Sequence, residues 1–460
     1  MLGVLEDVLW LLVLIGVMIN IHELGHFWAA RFFDVKVEAF SFGFGPRLFG
    51  FRRGETDYRF SLLPIGGYVK MAGELAGDGN PVSMRDAAEA RLGQMGGAFV
   101  DDPRALPSKP RWQRLIIAFA GPFMNVVLAV AVLTGMYMVK FQKVSDADLK
   151  AVIGHVMPDS PAATAGIQDG DRIVELDGKA NPTWEDIGLK EVTSAYRPMH
   201  LRVERDGKQF DTTVIPTLNE RIGVGFAGWD ERGQIQLGQV EAGYPADKAG
   251  LKKGDLLISV NGQPIHSQIK FQEITKSSGG KPIDIVYQRN GQTQEVSVQP
   301  VYAKIDGPAR WMIGVVPQQK LNLTTTRLSF SDALSESVRQ NERGAVLMFE
   351  FLKGVVQRRM STKNLAGPIG IAQLSGDAAR EGAGVFFMLM ATVSLQLAII
   401  NLLPIPIMDG GVILMLLIEM IMRRDLSLNV KEAVFKLGFV TIVVILAFAI
   451  YNDISKIIPG

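Results

Sequence analysis

Cysteine is absent from the 460 residues, which excludes disulfides and thiolate metal sites and leaves the redox compartment open. An excess of one charge is absent too. The 48 Lys and Arg against 47 Asp and Glu give a formal net charge of +1, so no basic surplus is available for nucleic acid and no such partner is expected. Histidine is scarce, with His22, His26, His155, His200 and His266 the only five, so an imidazole metal site must draw on a short list. No Lys or Arg precedes the first apolar run, which follows Glu6 and Asp7 and has no small-residue cleavage pattern. It is therefore expected to stay in the mature chain and not to be removed as a signal peptide. What is abundant is apolar: hydrophobic residues make up 48% of the chain, which points to partial membrane residence.

A bilayer core about 30 Å thick needs roughly 20 mostly apolar residues in a helix. Four regions meet that length or come close: Val8 through Ile21 and on to Phe33, Leu115–Val139, Val385–Met408 with a further run to Met422, and Ala433–Tyr451. Arg31, Lys36, Arg47, Arg52, Arg53 and Arg59 follow the first span, Arg111 and Arg114 precede the second, and Arg423, Arg424 and Lys431 separate the third from the fourth. Basic loops stay on the cytoplasmic side, so both chain ends and the long segment between spans two and three are expected on the opposite side.

That long segment contains a repeat. Ile153–Gly178 aligns without gaps with Leu237–Gly262 at a spacing of 84, and nine of the 26 positions are identical: Gly154, Val156, Pro161, Ala162, Ala165, Gly166, Gly170, Asp171 and Gly178. Each copy reads as a strand, a short helix ended by Gly166 or Gly250, a Gly-Asp turn, a strand and a hairpin turn. The pattern resembles PDZ domains, which take up peptides by adding a strand beside a sheet edge. Whether the copies bind peptide or only shape access stays open. Ser331–Gln357 reads as a helix with Leu334, Val338, Leu347, Phe351 and Val355 among charges, suited to a membrane surface or to packing.

The chemistry concentrates in His22-Glu23-Leu24-Gly25-His26. Residues four apart share a helix face, so His22 and His26 can bind one metal ion, while Glu23 is offset to act on water as a catalytic base. Ionisable groups inside an apolar span are expensive and point to function. A catalytic zinc site has three protein ligands, so a third is needed. The best choice is Asp409, set between two apolar runs in Asn401-Leu402-Leu403-Pro404-Ile405-Pro406-Ile407-Met408-Asp409-Gly410-Gly411, where the prolines break the helix. Glu419 competes, but its place near Arg423 and Arg424 favours a helix-end ion pair. A different class is a non-proteolytic membrane scaffold or transporter with a structural metal, which has no use for Glu23.

Together these residues resemble the site-2 protease family of intramembrane zinc metalloproteases, and within it the members with tandem PDZ domains. The resemblance rests on the first motif, on Gly121-Pro122-Phe123-Met124-Asn125, on Asn364-Leu365-Ala366-Gly367-Pro368-Ile369-Gly370-Ile371 and on the Asp-Gly segment. It implies zinc on His22, His26 and Asp409, Glu23 as the catalytic acid/base, and Asn125 and Asn401 near substrate, with Gln396, Pro404 and Pro406 as further substrate-binding positions. Two departures stand out: Met408 replaces the usual Leu, and Gln396 replaces an Asn. The implied substrates are single-pass membrane proteins, notably an anti-sigma factor already shortened by another protease in a stress response, or remnant signal peptides. The PDZ pair would then act as a size filter at a bacterial inner membrane.

The expected fold is a multi-domain membrane protein: an α-helical core of four spans, a membrane-associated β-hairpin and two mixed α/β PDZ domains outside the membrane. Residues 1–34 hold the first span, 35–72 the hairpin, 73–112 a cytoplasmic loop, 113–140 the second span, 141–220 and 221–310 the PDZ domains, 311–380 a helical juxtamembrane region, 381–424 the third, Pro-broken segment and 425–460 the fourth span. Val35–Phe44, Thr56–Leu63 and Tyr68–Met71 have strand composition, with Pro64–Gly67 as a turn, and an edge of this hairpin is expected to pair with unwound substrate.

Overall fold

The computed structural model describes residues 2–73, 102–144, 150–219, 223–304, 309–361 and 367–457. Most of the expected cytoplasmic loop, residues 74–101, and residues 364–366 of the Asn-Leu-Ala-Gly-Pro motif lie outside them. Among the described residues the α-helices, in chain order, are α1 (Leu2–Phe32), α2 (Arg111–Val139), α3 (Pro161–Thr164), α4 (Trp184–Thr193), α5 (Pro245–Lys248), α6 (Gln268–Ser277), α7 (Phe330–Val356), α8 (Pro368–Glu381), α9 (Ala383–Asn401), α10 (Asp409–Met422) and α11 (Leu428–Ile457). Among the described residues four stretches are long and apolar enough to cross a membrane: Gly3–Phe32, Arg111–Val139, Ala383–Asn401 and Asn429–Ser455. The chain divides into two compact units, one of Met1–Phe141, Arg327–Phe349 and Lys363–Gly460, the other of Gln142–Thr326 and Glu350–Thr362.

In the first unit small residues let the helices approach closely. A Cβ on Gly25 of α1 would stand 2.2 Å from the Ala120 carbonyl oxygen of α2, so only glycine fits at this crossing. Helix α9 joins α2 where the Ser394 hydroxyl donates to the Asn125 carbonyl at 2.8 Å. Leu14 and Met18 of α1 share a core with Phe386 and Met390 of α9. Helix α7 turns its small face to α2, with Ala333 and Ser337 fully buried and the Thr134 hydroxyl 3.0 Å from that of Ser337, while Val338 and Phe349 stay exposed. The start of α8 is capped from α11: the Gly367, Ile369 and Gly370 amides donate to the Asp453 carboxylate at 2.9 to 3.0 Å, satisfying donors a helix start leaves open.

The hairpin is more folded than two simple strands. Strands β1 (Val37–Arg53) and β2 (Thr56–Met71) pair antiparallel, but Ala39 opposes both Lys70 and Asp57, and Phe42 opposes both Gly67 and Phe60, while Arg53 opposes Thr56. The inner half of β1 is thus paired on both sides. Each strand bends back on itself, which Gly43, Gly45 and Gly66 permit with left-handed φ of 88°, 93° and 95°. The far end stacks Phe49 on Phe60 and Phe51 on Tyr58, and leaves Phe49, Phe51 and Leu62 more than half exposed.

In the second unit the repeat forms two matching modules. Met199–Arg205 lies between Arg172–Leu176 and Lys208–Val214 in the first, as Ile283–Arg289 lies between Leu256–Val260 and Gln292–Val298 in the second. The recurring aspartate is structural. Arg205 grips Asp171 with two hydrogen bonds and reaches the Gly166 carbonyl, and 84 residues on Arg289 does the same to Asp255 and Gly250. Thr183 and Ser267, also 84 apart, cap α4 and α6. The first core continues past residue 220 to Ala227 and Trp229, and the second past 310 to Ile313, so each copy draws core residues from a segment that follows its last repeated strand.

Candidate metal centre

His22, Glu23 and His26 lie on one buried stretch of α1, each under a tenth exposed. Asp409 reaches them from the far end of the chain. Helix α9 stops at Asn401 because Pro404 and Pro406 have no N–H to continue it, and α10 restarts at Asp409 itself. Gly410 and Gly411 let the connecting segment fold onto that restart: a Cβ on Gly410 would stand 2.3 Å from the Leu402 and Leu403 carbonyl oxygens, and one on Gly411 2.4 Å from that of Ile405.

Three donor atoms converge. His22 Nε2 lies 3.2 Å from His26 Nε2 and 3.0 Å from Asp409 Oδ2, and His26 Nε2 lies 3.6 Å from Asp409 Oδ1. Tetrahedral zinc with bonds of roughly 2.0–2.1 Å sets its ligands about 3.3 Å apart. These separations bracket that edge, and the donor set of two imidazoles and a carboxylate suits zinc, so the residues fit the ion. Among the described residues this is the one group of three metal-ligating side chains brought so close together. Gly121 of α2 leaves the room: a Cβ there would stand 2.3 Å from His26 Nε2.

The second imidazole nitrogens are held as well. His26 Nδ1 lies 2.7 Å from the Ile117 carbonyl, an acceptor that fixes the proton on Nδ1 and leaves Nε2 to the metal. Asn125 is fully buried beside His22, its Nδ2 3.3 Å from His22 Nδ1, and its Oδ1 has no hydrogen-bond partner among the described residues. Glu23 faces the hairpin, where a Cβ on Gly67 would meet its Cγ at 3.6 Å and Asn20 Oδ1 at 3.5 Å.

The other expected site residues are placed less centrally. Asn401 ends α9 half-buried, next to the proline break, and Gln396 is exposed on α9. Pro404 is exposed. Pro406 lies against α11, where a Cβ on Gly438 would touch its ring at 2.8 Å. Glu419 does not pair with Arg423 or Arg424. Arg423 takes the left-handed cap of α10, the chain reverses, and Lys431 of α11 meets Glu419 at 2.7 Å, with Arg114 of α2 at 3.7 Å. Sequence reasoning missed Gly121 as the space-maker and the Ile117 carbonyl; every residue has a carbonyl, so no side-chain signal reveals that acceptor.

A three-ligand centre with an adjacent glutamate, set among four membrane-length helices, defines the class: a polytopic membrane metallohydrolase. The sequence model of peptidase family M50 matches residues 10–445. A regulator of sigma-E protease RseP from Salmonella typhimurium is 31% identical over 99% of this chain and 100% of its own length. The Escherichia coli protein of that name is 30% identical over 99% and 100%, and a Vibrio cholerae relative named as a zinc metalloprotease is 29% identical over 98% and 100%. Among solved structures, a PDZ domain of an SdrC-like protein from Listeria monocytogenes is 22% identical over 19% of this chain and 87% of that one, at a TM-score of 0.17. The chain belongs to peptidase family M50, the site-2-type zinc metalloproteases.

Proposed function

We propose that this protein is an intramembrane zinc endopeptidase of the bacterial inner membrane that cuts single-pass proteins within their membrane segments, with an anti-sigma factor of a stress response and remnant signal peptides as substrates. The observation that carries this reading is the donor set drawn from two distant segments, His22 and His26 on one membrane-length helix and Asp409 at a helix restart. Zinc held there polarises the scissile carbonyl and lowers the pKa of water to about 7.

Glu23, one residue from His22, takes a proton from the attacking water and delivers it to the leaving nitrogen. A helical substrate hides its peptide bonds and must be unwound. The stretch of β2 at Gly67 runs past Glu23, and its edge holds the substrate extended by strand pairing. Asn401 at the proline break offers a side-chain amide to the substrate backbone, and Gln396, Pro404 and Pro406 flank that path. Asn125 orients His22: with its amide turned over, Oδ1 accepts from His22 Nδ1–H and loses its unpartnered state.

The exposed aromatic end of the hairpin favours a membrane-dipping position. The basic residues flanking the spans favour an active site near the cytoplasmic face, with both termini and the PDZ modules periplasmic, where the modules exclude substrates that keep a large outer domain. Replacing Asp409→Asn tests the carrying observation. Purified protein should lose most of its zinc and its cleavage of a transmembrane substrate; full zinc occupancy would remove Asp409 from the site.

A further inference from the structure

Asn20 stands three residues before Glu23 on α1, inside the first membrane-length stretch. Its amide nitrogen is committed, because Nδ2 donates to the Gly16 carbonyl one turn back at 2.6 Å. That bond also fixes which way the amide is turned, since the reverse orientation would set Oδ1 against the same carbonyl oxygen. Asn20 therefore presents a single acceptor to its surroundings. Oδ1 is shut off from solvent and has no hydrogen-bond partner among the described residues. A buried acceptor left open is costly, and an amide inside an apolar span is costly to begin with, so the position calls for a donor that arrives from outside the chain.

Oδ1 faces the hairpin. A Cβ on Gly67 would stand 3.5 Å from Asn20 Oδ1 and 3.6 Å from Glu23 Cγ, so β2 carries no side chain where both residues of α1 meet it. Residues 67–71 of β2 pair with 37–42 of β1, and β1 is paired on its other side by 57–60, which makes 67–71 an outer strand. A chain added to that edge runs past Glu23 and Asn20. Such a chain turns part of its N–H groups toward the edge and the rest away from it. In water the second set is solvated, whereas in a membrane site each needs a partner from the protein. Glu23 as a carboxylate is itself an acceptor and cannot fill Oδ1. Three residues of helix rise about 4.5 Å, a distance that an extended chain covers in one to two residues.

We propose that Asn20 Oδ1 receives one backbone N–H of the unwound substrate, one or two residues from the bond on which Glu23 acts. What it recognises is extended main chain, whatever the side chains, and a proline at that single position is refused because it has no N–H. The inference rests on the intramembrane protease reading and deepens it: α1 supplies the substrate with a hydrogen bond that neither the metal ligands nor the hairpin edge provides.

The test measures binding of a fluorescent transmembrane peptide to the full-length, zinc-loaded protein in nanodiscs, on a Glu23→Ala background that prevents cleavage and brings no donor to Oδ1. A series of peptides replaces one backbone N–H at a time by an ester oxygen along the membrane segment. At one position the ester should weaken binding about tenfold, the scale of a hydrogen bond whose buried acceptor is left open. Asn20→Leu should weaken the all-amide peptide by a similar factor and become indifferent to that ester, with zinc content unchanged. Asn20→Thr, whose hydroxyl can donate to the Gly16 carbonyl and still accept, should keep more affinity than Asn20→Leu. All-amide binding unchanged in Asn20→Leu would make water the partner of Oδ1 and overturn the proposal. So would a series in which no ester effect disappears in Asn20→Leu. Either result leaves the protease reading standing if the protein with Glu23 intact cuts the all-amide peptide, and failure to cut it would remove that reading and this one together.

Discussion

Gly121 of α2 stands directly over His26 of α1, so near that a single Cβ would lie 2.3 Å from the imidazole Nε2 and 2.7 Å from that of His22. The ligand pair can converge only because α2 has no side chain at this turn. Gly121→Ala should therefore weaken zinc binding on the order of 10- to 100-fold, the range seen when the support around ligands is disturbed. Zinc content after dialysis against a graded chelator measures this; an unchanged profile would mean the helices shift apart freely.

Asn125 gives a sharper test because its two replacements differ. Asn125→Asp keeps an oxygen acceptor beside His22 Nδ1, whereas Asn125→Leu fills the space without one. The aspartate variant should hold zinc nearly as well as the unaltered protein, and the leucine variant about 10- to 100-fold less tightly. Equal loss in both would point to a direct substrate contact in place of an orienting role.

The legible part of this site was the part written in side chains of unusual cost. His22 and His26 share a helix face by spacing, and Asp409 stands out as a carboxylate between apolar runs. The illegible part depends on how helices cross. Gly121 looks like any membrane glycine until α1 lies against it, and Ile117 contributes a backbone atom. Glu419 forms the expected helix-end ion pair, but its partner was illegible for the same reason: Arg423 and Arg424 are near in sequence, and the left-handed turn at Arg423 brings Lys431 over it. In the hairpin, strand composition predicted the strands but not their doubling, which depends on glycines with positive φ. In the repeat, the aligned stretch stopped at Gly178 and Gly262, although the spacing continues through Arg205 and Arg289, too far apart from the other matches to register.

The filter role proposed for the second unit predicts a change of substrate range. Excising Gln142–Thr326 should allow cleavage of single-pass substrates that still carry a large outer domain, while shortened substrates are cut as before. Competition between long and short forms of one substrate, read on a gel, measures this; unchanged preference would place selectivity elsewhere, for example at the hairpin edge.

The central claim is that Glu23 moves the proton at a zinc site built by His22, His26 and Asp409. Its most direct test is Glu23→Gln, with zinc content and cleavage of a transmembrane substrate measured on the same purified sample. Zinc should remain near one per chain, because Gln leaves all three ligands in place, while cleavage falls by at least about 100-fold, the scale of general acid–base catalysis. Cleavage retained in that variant, with zinc bound, would contradict the account.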